Sequence, residues 1–223
     1  MELSSQKYSF MVILAGDSGV GKTNIVLRYT KDNIPSNIEP SENFKLFFKS
    51  QKINGKKIRL QIWDLAGQQG WEEEAIPRLC SKSQGGFIIY DITKRESFEN
   101  VQSWIQDCRN QSPKTIIMVL VGNKNDLENE RDVSFDEGEQ FAKNNNMIFY
   151  ETSAKTGKNV NEIFENTVNN ISKKIEENYY DLENDSCGIK VGMIEGNLYN
   201  SINNNNNISL DFDDKKEENY GCC

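Results

Sequence analysis

Residues 16–23 of this 223-residue chain read Gly16-Asp17-Ser18-Gly19-Val20-Gly21-Lys22-Thr23, the pattern G-x-x-x-x-G-K-[ST] in full. Residues of these types at this spacing bind the phosphates of a nucleoside triphosphate. Glycine admits positive φ, so successive backbone N–H groups of residues 19–23 can turn inward onto a polyanion. Lys22 adds a point charge at the β- and γ-phosphates, and the Thr23 hydroxyl can reach Mg²⁺. The flanking residues suit the task. Tyr8 to Ala15 is an apolar strand candidate, and Asn24 to Tyr29 reads as the first turns of a helix whose N-terminus adds partial positive charge.

Two more clusters bear on the base. Asn123-Lys124-Asn125-Asp126 follows an apolar run ending at Val121-Gly122, about 100 residues after the phosphate loop. A carboxylate at Asp126 can accept hydrogen bonds from N1–H and the exocyclic amino group of guanine, and adenine offers neither donor in that arrangement. A mismatched base leaves the carboxylate unpaired, which costs more than about 1 kcal/mol. Asn123 can hold neighbouring loops together, and the Lys124 stem can cover the base. Glu151-Thr152-Ser153-Ala154-Lys155 follows the next strand candidate, and its small residues, Ser153 and Ala154 with Lys155, admit a backbone N–H close to the guanine oxygen. Asp64-Leu65-Ala66-Gly67-Gln68 ends another strand candidate. There Asp64 is placed to hold Mg²⁺ through a water, Gly67 N–H to bond a γ-phosphate, and Gln68 to orient an attacking water.

These residues need a framework, and the hydropathy pattern supplies one. Phe44 to Ile53 and Lys57 to Asp64 flank Asn54-Gly55, a two-residue hairpin signal. Residues 86–90, 115–121 and 147–150 are apolar runs of the kind buried on both faces of a parallel sheet. Helical patterns cover Ser97 to Asn110, Ser134 to Asn145 and Val160 to Ile175, and Ser134-x-x-Glu137 forms a capping-box pattern. The alternation predicts an α/β fold with a mostly parallel sheet covered by helices on both faces, over residues 1–177. From 178 to 223 the composition turns acidic and asparagine-containing, which predicts a disordered tail.

Composition excludes several classes. The chain has no histidine, which removes His-based catalysis and His metal sites. The net charge of −8 resides in the tail: from Glu176 onward there are 11 acidic and 3 basic residues, against 23 of each sign before it. No basic patch recommends nucleic acid. Five cysteines lack metal-like or disulfide-framework spacing, and residues 1–7 lack the features of a signal peptide, so a reducing, cytosolic setting is expected.

Taken together, Gly16 to Thr23, Leu60-Gln61-Ile62-Trp63-Asp64, Tyr90-Asp91-Ile92-Thr93, Glu96-Ser97-Phe98 and Glu151 to Lys155 resemble the Ras superfamily of small GTPases, and within it the Rab family. The resemblance covers residues 7–175. It implies a P-loop domain with a six-stranded sheet, one antiparallel edge strand and five helices. It also implies a monomer that binds GTP or GDP with Mg²⁺, hydrolyses GTP slowly and acts in vesicle traffic. Gly221-Cys222-Cys223 resembles the double-cysteine Rab tail, whose thiols Cys222 and Cys223 carry prenyl groups. Two lipids give stable anchoring where one gives marginal attachment. The implied partners are an exchange factor, a GTPase-activating protein, a GDP-dissociation inhibitor, effectors and a membrane. The implied location is the cytoplasmic face of an intracellular membrane, cycling with cytosol.

The chain departs from the Rab pattern in three places. Ungapped counting puts Ser41 where the family has a Thr that binds Mg²⁺ and the γ-phosphate, and Glu42 to Leu46 replaces Ile-Gly-Val-Asp-Phe. Ile34 stands where an aromatic residue covers the guanine, and losing such a stack costs on the order of 1 kcal/mol, so faster spontaneous nucleotide release is expected. Gln69-Gly70-Trp71 follows Gln68 in place of Glu-Arg-Phe, and Leu79-Cys80 stands where Rabs often have a tyrosine pair. One other reading stays open on the residues alone, a nucleotide-binding scaffold that hydrolyses little; a P-loop enzyme that uses ATP fails on Asn123 to Asp126 and would return only if ATP competed with GTP at similar affinity.

Overall fold

The computed structural model describes residues 7–32, 44–53, 55–65, 75–192 and 209–211. Its elements run β1 (Lys7–Ala15), α1 (Lys22–Lys31), β2 (Lys45–Ile53), β3 (Lys56–Asp64), α2 (Ala75–Ser81), β4 (Gly85–Asp91), α3 (Arg95–Glu99), α4 (Val101–Gln111), β5 (Ile117–Asn123), α5 (Phe135–Asn144), β6 (Ile148–Glu151), α6 (Val160–Glu176), β7 (Lys190–Val191) and β8 (Ser209–Asp211). Short 3₁₀ helices lie at Asn125–Glu130 and Asp185–Cys187. The sheet order is β6-β5-β4-β1-β3-β2-β8. Strands β1, β3, β4, β5 and β6 are parallel, and β2 runs antiparallel to β3 from Lys45 opposite Asp64 to Ile53 opposite Lys56.

Two cores follow from the period of two along each strand. Phe10, Val12 and Leu14 of β1, Phe87 and Ile89 of β4, and Val119 and Val121 of β5 face α1 and α6. The intervening Ile13, Ala15, Ile88, Tyr90, Met118 and Leu120 face α2 to α5. Phe164 of α6 stacks on Tyr29 of α1 at 3.9 Å and meets Phe87 at 5.0 Å, which joins both helices to the sheet.

Two segments differ from the sequence pattern by more than their end residues. The apolar run 115–121 becomes a strand shifted by two residues, because Ile116 N–H turns back to Pro113 O. The shift places Asn123 as the last strand residue, opposite Asp91. The helical pattern 97–110 breaks at Asn100 into α3 and α4. The six predicted strands are β1 to β6, and β7 and β8 are additional. Ser134 does cap α5, accepting from Glu137 N–H at 3.2 Å, but the Glu137 carboxylate pairs with Arg95 instead of reaching back.

The packed chain also runs past the predicted domain end at 177. Tyr180 is buried, with its hydroxyl on Thr115 O at 3.3 Å, and Ile189 is 2% exposed. The buried Gln84 side chain donates to Cys187 O at 2.7 Å and accepts from Met11 N–H at 2.7 Å. Strand β7 then pairs antiparallel with Tyr8 and Ser9, below the start of β4. Composition marked 178–192 as tail because these anchors are isolated, without helical or strand periodicity. Ile189→Ala is expected to cost about 2–3 kcal/mol, a fall of about 4–10 °C in Tm. Leu182→Ala, on the exposed side of the same segment, should shift Tm by less than about 2 °C. Thermal denaturation of the full chain checks both, and equal effects would show that the segment is not packed.

Candidate functional site

Strands β1, β3, β4, β5 and β6 end at one edge of the sheet, at Ala15, Asp64, Asp91, Asn123 and Glu151. In open parallel sheets ligands bind in the crevice outside these carboxyl ends. The phosphate loop leaves β1 and enters α1 there. Gly16 and Gly21 have φ of 140° and 99°. A Cβ on Gly16 would lie 2.2 Å from Ile89 O, and one on Gly21 2.3 Å from Asn123 Nδ2, so neither position admits a side chain. Gly19, at φ 77°, has nothing among the described residues within 4 Å of its own Cβ position, and Ser18 beside it is exposed. Helix α1 opens at Lys22 and Thr23, ahead of Asn24; its N-cap, Gly21, has no side chain to cap it, and its first turn holds no acidic residue. The first N–H groups of the helix and its dipole make an anion site.

Lys22 is 7% exposed and donates to Gly16 O at 2.7 Å and Asp17 O at 2.8 Å. Burial lowers its pKa from the ordinary 10.5, opposed by Asp64 and Asp17. Thr23 Oγ1 donates to Asp64 Oδ2 at 2.5 Å. Asp64 is fully buried, and desolvation raises its pKa against the Thr23 bond and the charges of Lys22 and Lys45. Its Oδ1 has no hydrogen-bond donor among the described residues. A buried carboxylate oxygen without a donor, beside a hydroxyl whose proton is already directed to that carboxylate, suits a hard divalent cation. Ser41, Gly67 and Gln68 lie outside the described residues, as do Ile34, Cys222 and Cys223.

The second half of the site is built around Asn123, 1% exposed. Its Nδ2 donates to Val20 O at 2.8 Å, and its Oδ1 accepts from Thr152 Oγ1 at 3.1 Å and Ala154 N–H at 3.3 Å. One amide thus ties the phosphate loop to the loop after β6. Asp126 Oδ1 accepts from Ser153 Oγ at 2.6 Å, and Lys155 Nζ stands 3.7 Å from Oδ2. Lys124, in the left-handed region at φ 68°, extends along this edge to pair with Asp91 at 2.6 Å. Every described residue of the four site motifs lies at this edge.

Supporting residues escape sequence reasoning. Arg28, two turns into α1, donates to Ala154 O at 2.8 Å and Lys155 O at 2.7 Å, bracing the loop from below. Arg131 forks onto the buried Glu151 at 2.6 and 2.8 Å. Neither position carries a local signal. Asp91 does: an Asp two residues before Thr forms a side-chain turn, here Asp91 Oδ1 accepting from Thr93 N–H at 3.0 Å and Oγ1 at 2.8 Å.

Residues 11–173, well over half of the chain, match the family model described as the Ras family. The chain therefore belongs to the Ras family, whose members bind guanine nucleotides as switches. The matched span runs from β1 into α6 and takes in both halves of the site.

A carboxyl whose pKa is raised by folding stabilises the fold below its unfolded pKa, and that contribution is lost as pH rises through the folded value. For Asp64 the ordinary value is 3.8. In a chelator-treated, nucleotide-free preparation, the contribution of Asp64 to stability is expected to decline as pH rises above about 4. Asp64→Asn should flatten that part of the profile. Thermal denaturation across the range checks it, and identical slopes for both chains would remove Asp64 as the cause.

Proposed function

We propose that the chain is a Rab-type switch that binds GTP, hydrolyses it slowly and regulates membrane traffic through effectors that recognise the GTP form. The observation that carries the nucleotide reading is the Asn123 amide, which joins the phosphate loop to the loop bearing Ser153, Ala154 and Lys155 beside Asp126. A single ligand with a guanine at one end and phosphates at the other spans those two loops.

Backbone N–H groups of residues 19–23 and Lys22 neutralise phosphate charge, Asp126 reads the guanine N1–H and amino group, and Ala154 N–H approaches the guanine oxygen. Thr23 and Ser41, with Asp64 behind them, hold Mg²⁺, which supplies positive charge to the β- and γ-phosphate oxygens when bound. Gln68 orients the water for in-line attack, and Gly67 N–H bonds the γ-phosphate. The effectors distinguish the two states through residues 33–45 and 65–80, and loss of the γ-phosphate on hydrolysis is the signal. The Rab assignment rests on the motifs quoted above and on Cys222 and Cys223, which as a doubly prenylated pair attach the protein to the cytoplasmic face of an intracellular membrane. Exchange factor, activating protein, GDP-dissociation inhibitor and effectors are the expected partners. No arginine in the motifs is an internal finger, so the activating protein supplies one.

Single-turnover hydrolysis of bound GTP tests the enzyme reading: Gln68→Leu should lower the rate at least about 10-fold, or 1.4 kcal/mol of barrier. Equal, negligible rates in both chains would favour a nucleotide-binding scaffold, the reading that the altered residues Glu42 to Leu46 support. Base recognition is tested by Asp126→Asn, which should weaken GDP binding about 100-fold or more. The same variant should gain affinity for xanthosine diphosphate, whose 2-oxo group accepts from an amide. Competition titration with GDP, xanthosine diphosphate and ADP measures this, and unchanged GDP affinity would overturn it.

A further inference from the structure

An aspartate inside an anion-binding loop is electrostatically adverse, yet Asp17 is the second residue of the phosphate loop. Its carboxylate is turned away from the loop interior and both oxygens are engaged. Oδ1 accepts from the indole Nε1–H of Trp104 at 2.7 Å, and Oδ2 accepts from Asn100 Nδ2 at 2.8 Å. Trp104 is 2% exposed, so its N–H requires an acceptor, and the partners are 83 and 87 residues from Asp17 in sequence. The main chain of the same residue faces the other way: Asp17 O accepts from Lys22 Nζ at 2.8 Å. One residue therefore links the start of α4 to the phosphate-binding lysine. The Trp104 ring belongs to the apolar cluster that holds Leu65 and Cys80, and α2 packs on α4.

We infer that Asp17 is a positioning residue for nucleotide phosphates: the Asp17–Asn100–Trp104 clamp fixes the first turn of the phosphate loop to α4 and keeps its carbonyl on Lys22. The inference rests on the guanine-nucleotide reading above. Asp17 acts on bound nucleotide in two opposed ways. Its charge repels phosphate, and its clamp holds the loop that binds phosphate. The sign of each variant separates them.

Dissociation of fluorescent GDP into excess unlabelled GDP, in Mg²⁺ and with the full chain, is the measurement. Asp17→Ala removes charge and clamp and is expected to release GDP about 10-fold faster. Asp17→Asn removes the charge but keeps an oxygen for the indole N–H and an amide that Asn100 can pair with. It is expected to release GDP no faster than wild type. Trp104→Phe keeps the ring and removes the donor, and should release GDP several-fold faster, about 3- to 10-fold. Slow release from Asp17→Ala, matching Asp17→Asn, would overturn the clamp and leave only the charge. Fast release from both would also overturn it, since the conservative variant would have failed to rescue. If Asp17→Ala does not fold, Trp104→Phe decides, and wild-type kinetics there overturn the proposal. A wild-type chain that retains no GDP, with Asp126→Asn no different, overturns the nucleotide reading itself. Retention by wild type with unaltered release from Asp17→Ala and Trp104→Phe overturns the clamp alone.

Discussion

The side chain of Asn123 sits between two loops that approach the same edge of the sheet from different halves of the chain. Its amide nitrogen holds Val20 O and its oxygen takes Thr152 Oγ1 and Ala154 N–H, in a place almost closed to water. Polar groups buried to this degree are costly unless paired, so each loop is held in one position by the other. The constraint reaches Gly21, where a Cβ would strike the amide, and through it the start of α1. The relative placement of phosphate-binding and base-binding groups therefore depends on this side chain, and Arg28 reinforces it from the far side of the same loop.

Much of this was legible in the sequence, for identifiable reasons. The phosphate loop, Asn123 to Asp126 and Glu151 to Lys155 are contiguous motifs whose backbone conformations follow from their own residues. The β–α alternation follows from apolar runs that strands buried on both faces must have. The start of β5 is not legible because Thr115 and Ile116 are as strand-like as the residues after them, and the turn that delays the strand depends on Pro113 O. The break at Asn100 has no distinguishing composition. Contacts between distant residues were out of reach in principle. Nothing near Asp17 shows that its carboxylate ends on an indole 87 residues later, and nothing near Arg28 shows that it serves a loop beyond residue 153. The contiguous motifs, Asn123 among them, are legible in the sequence, and the distant supports Arg28 and Arg131 are not.

The segment after α6 shows the same limit on a larger scale. Its acidic, asparagine-containing character is that of a solvated tail, and single anchors such as Tyr180 and Ile189 leave no periodic trace. Gln84, fully buried and bonded to both Met11 and Cys187, supplies the polar counterpart that lets the returning backbone lie against the sheet.

Strand β7 has a consequence for how molecules of this protein behave towards one another. Strand β4 begins opposite Val12, so Tyr8 and Ser9 at the start of β1 would otherwise present unpaired N–H and C=O groups to a foreign strand. Such notches template aggregation. Here Lys190 and Val191 fill the notch with the chain's own backbone. A chain cut before β7 would keep every ligand-facing group and still expose a site for sheet growth between copies, so its colloidal behaviour would worsen before its chemistry did.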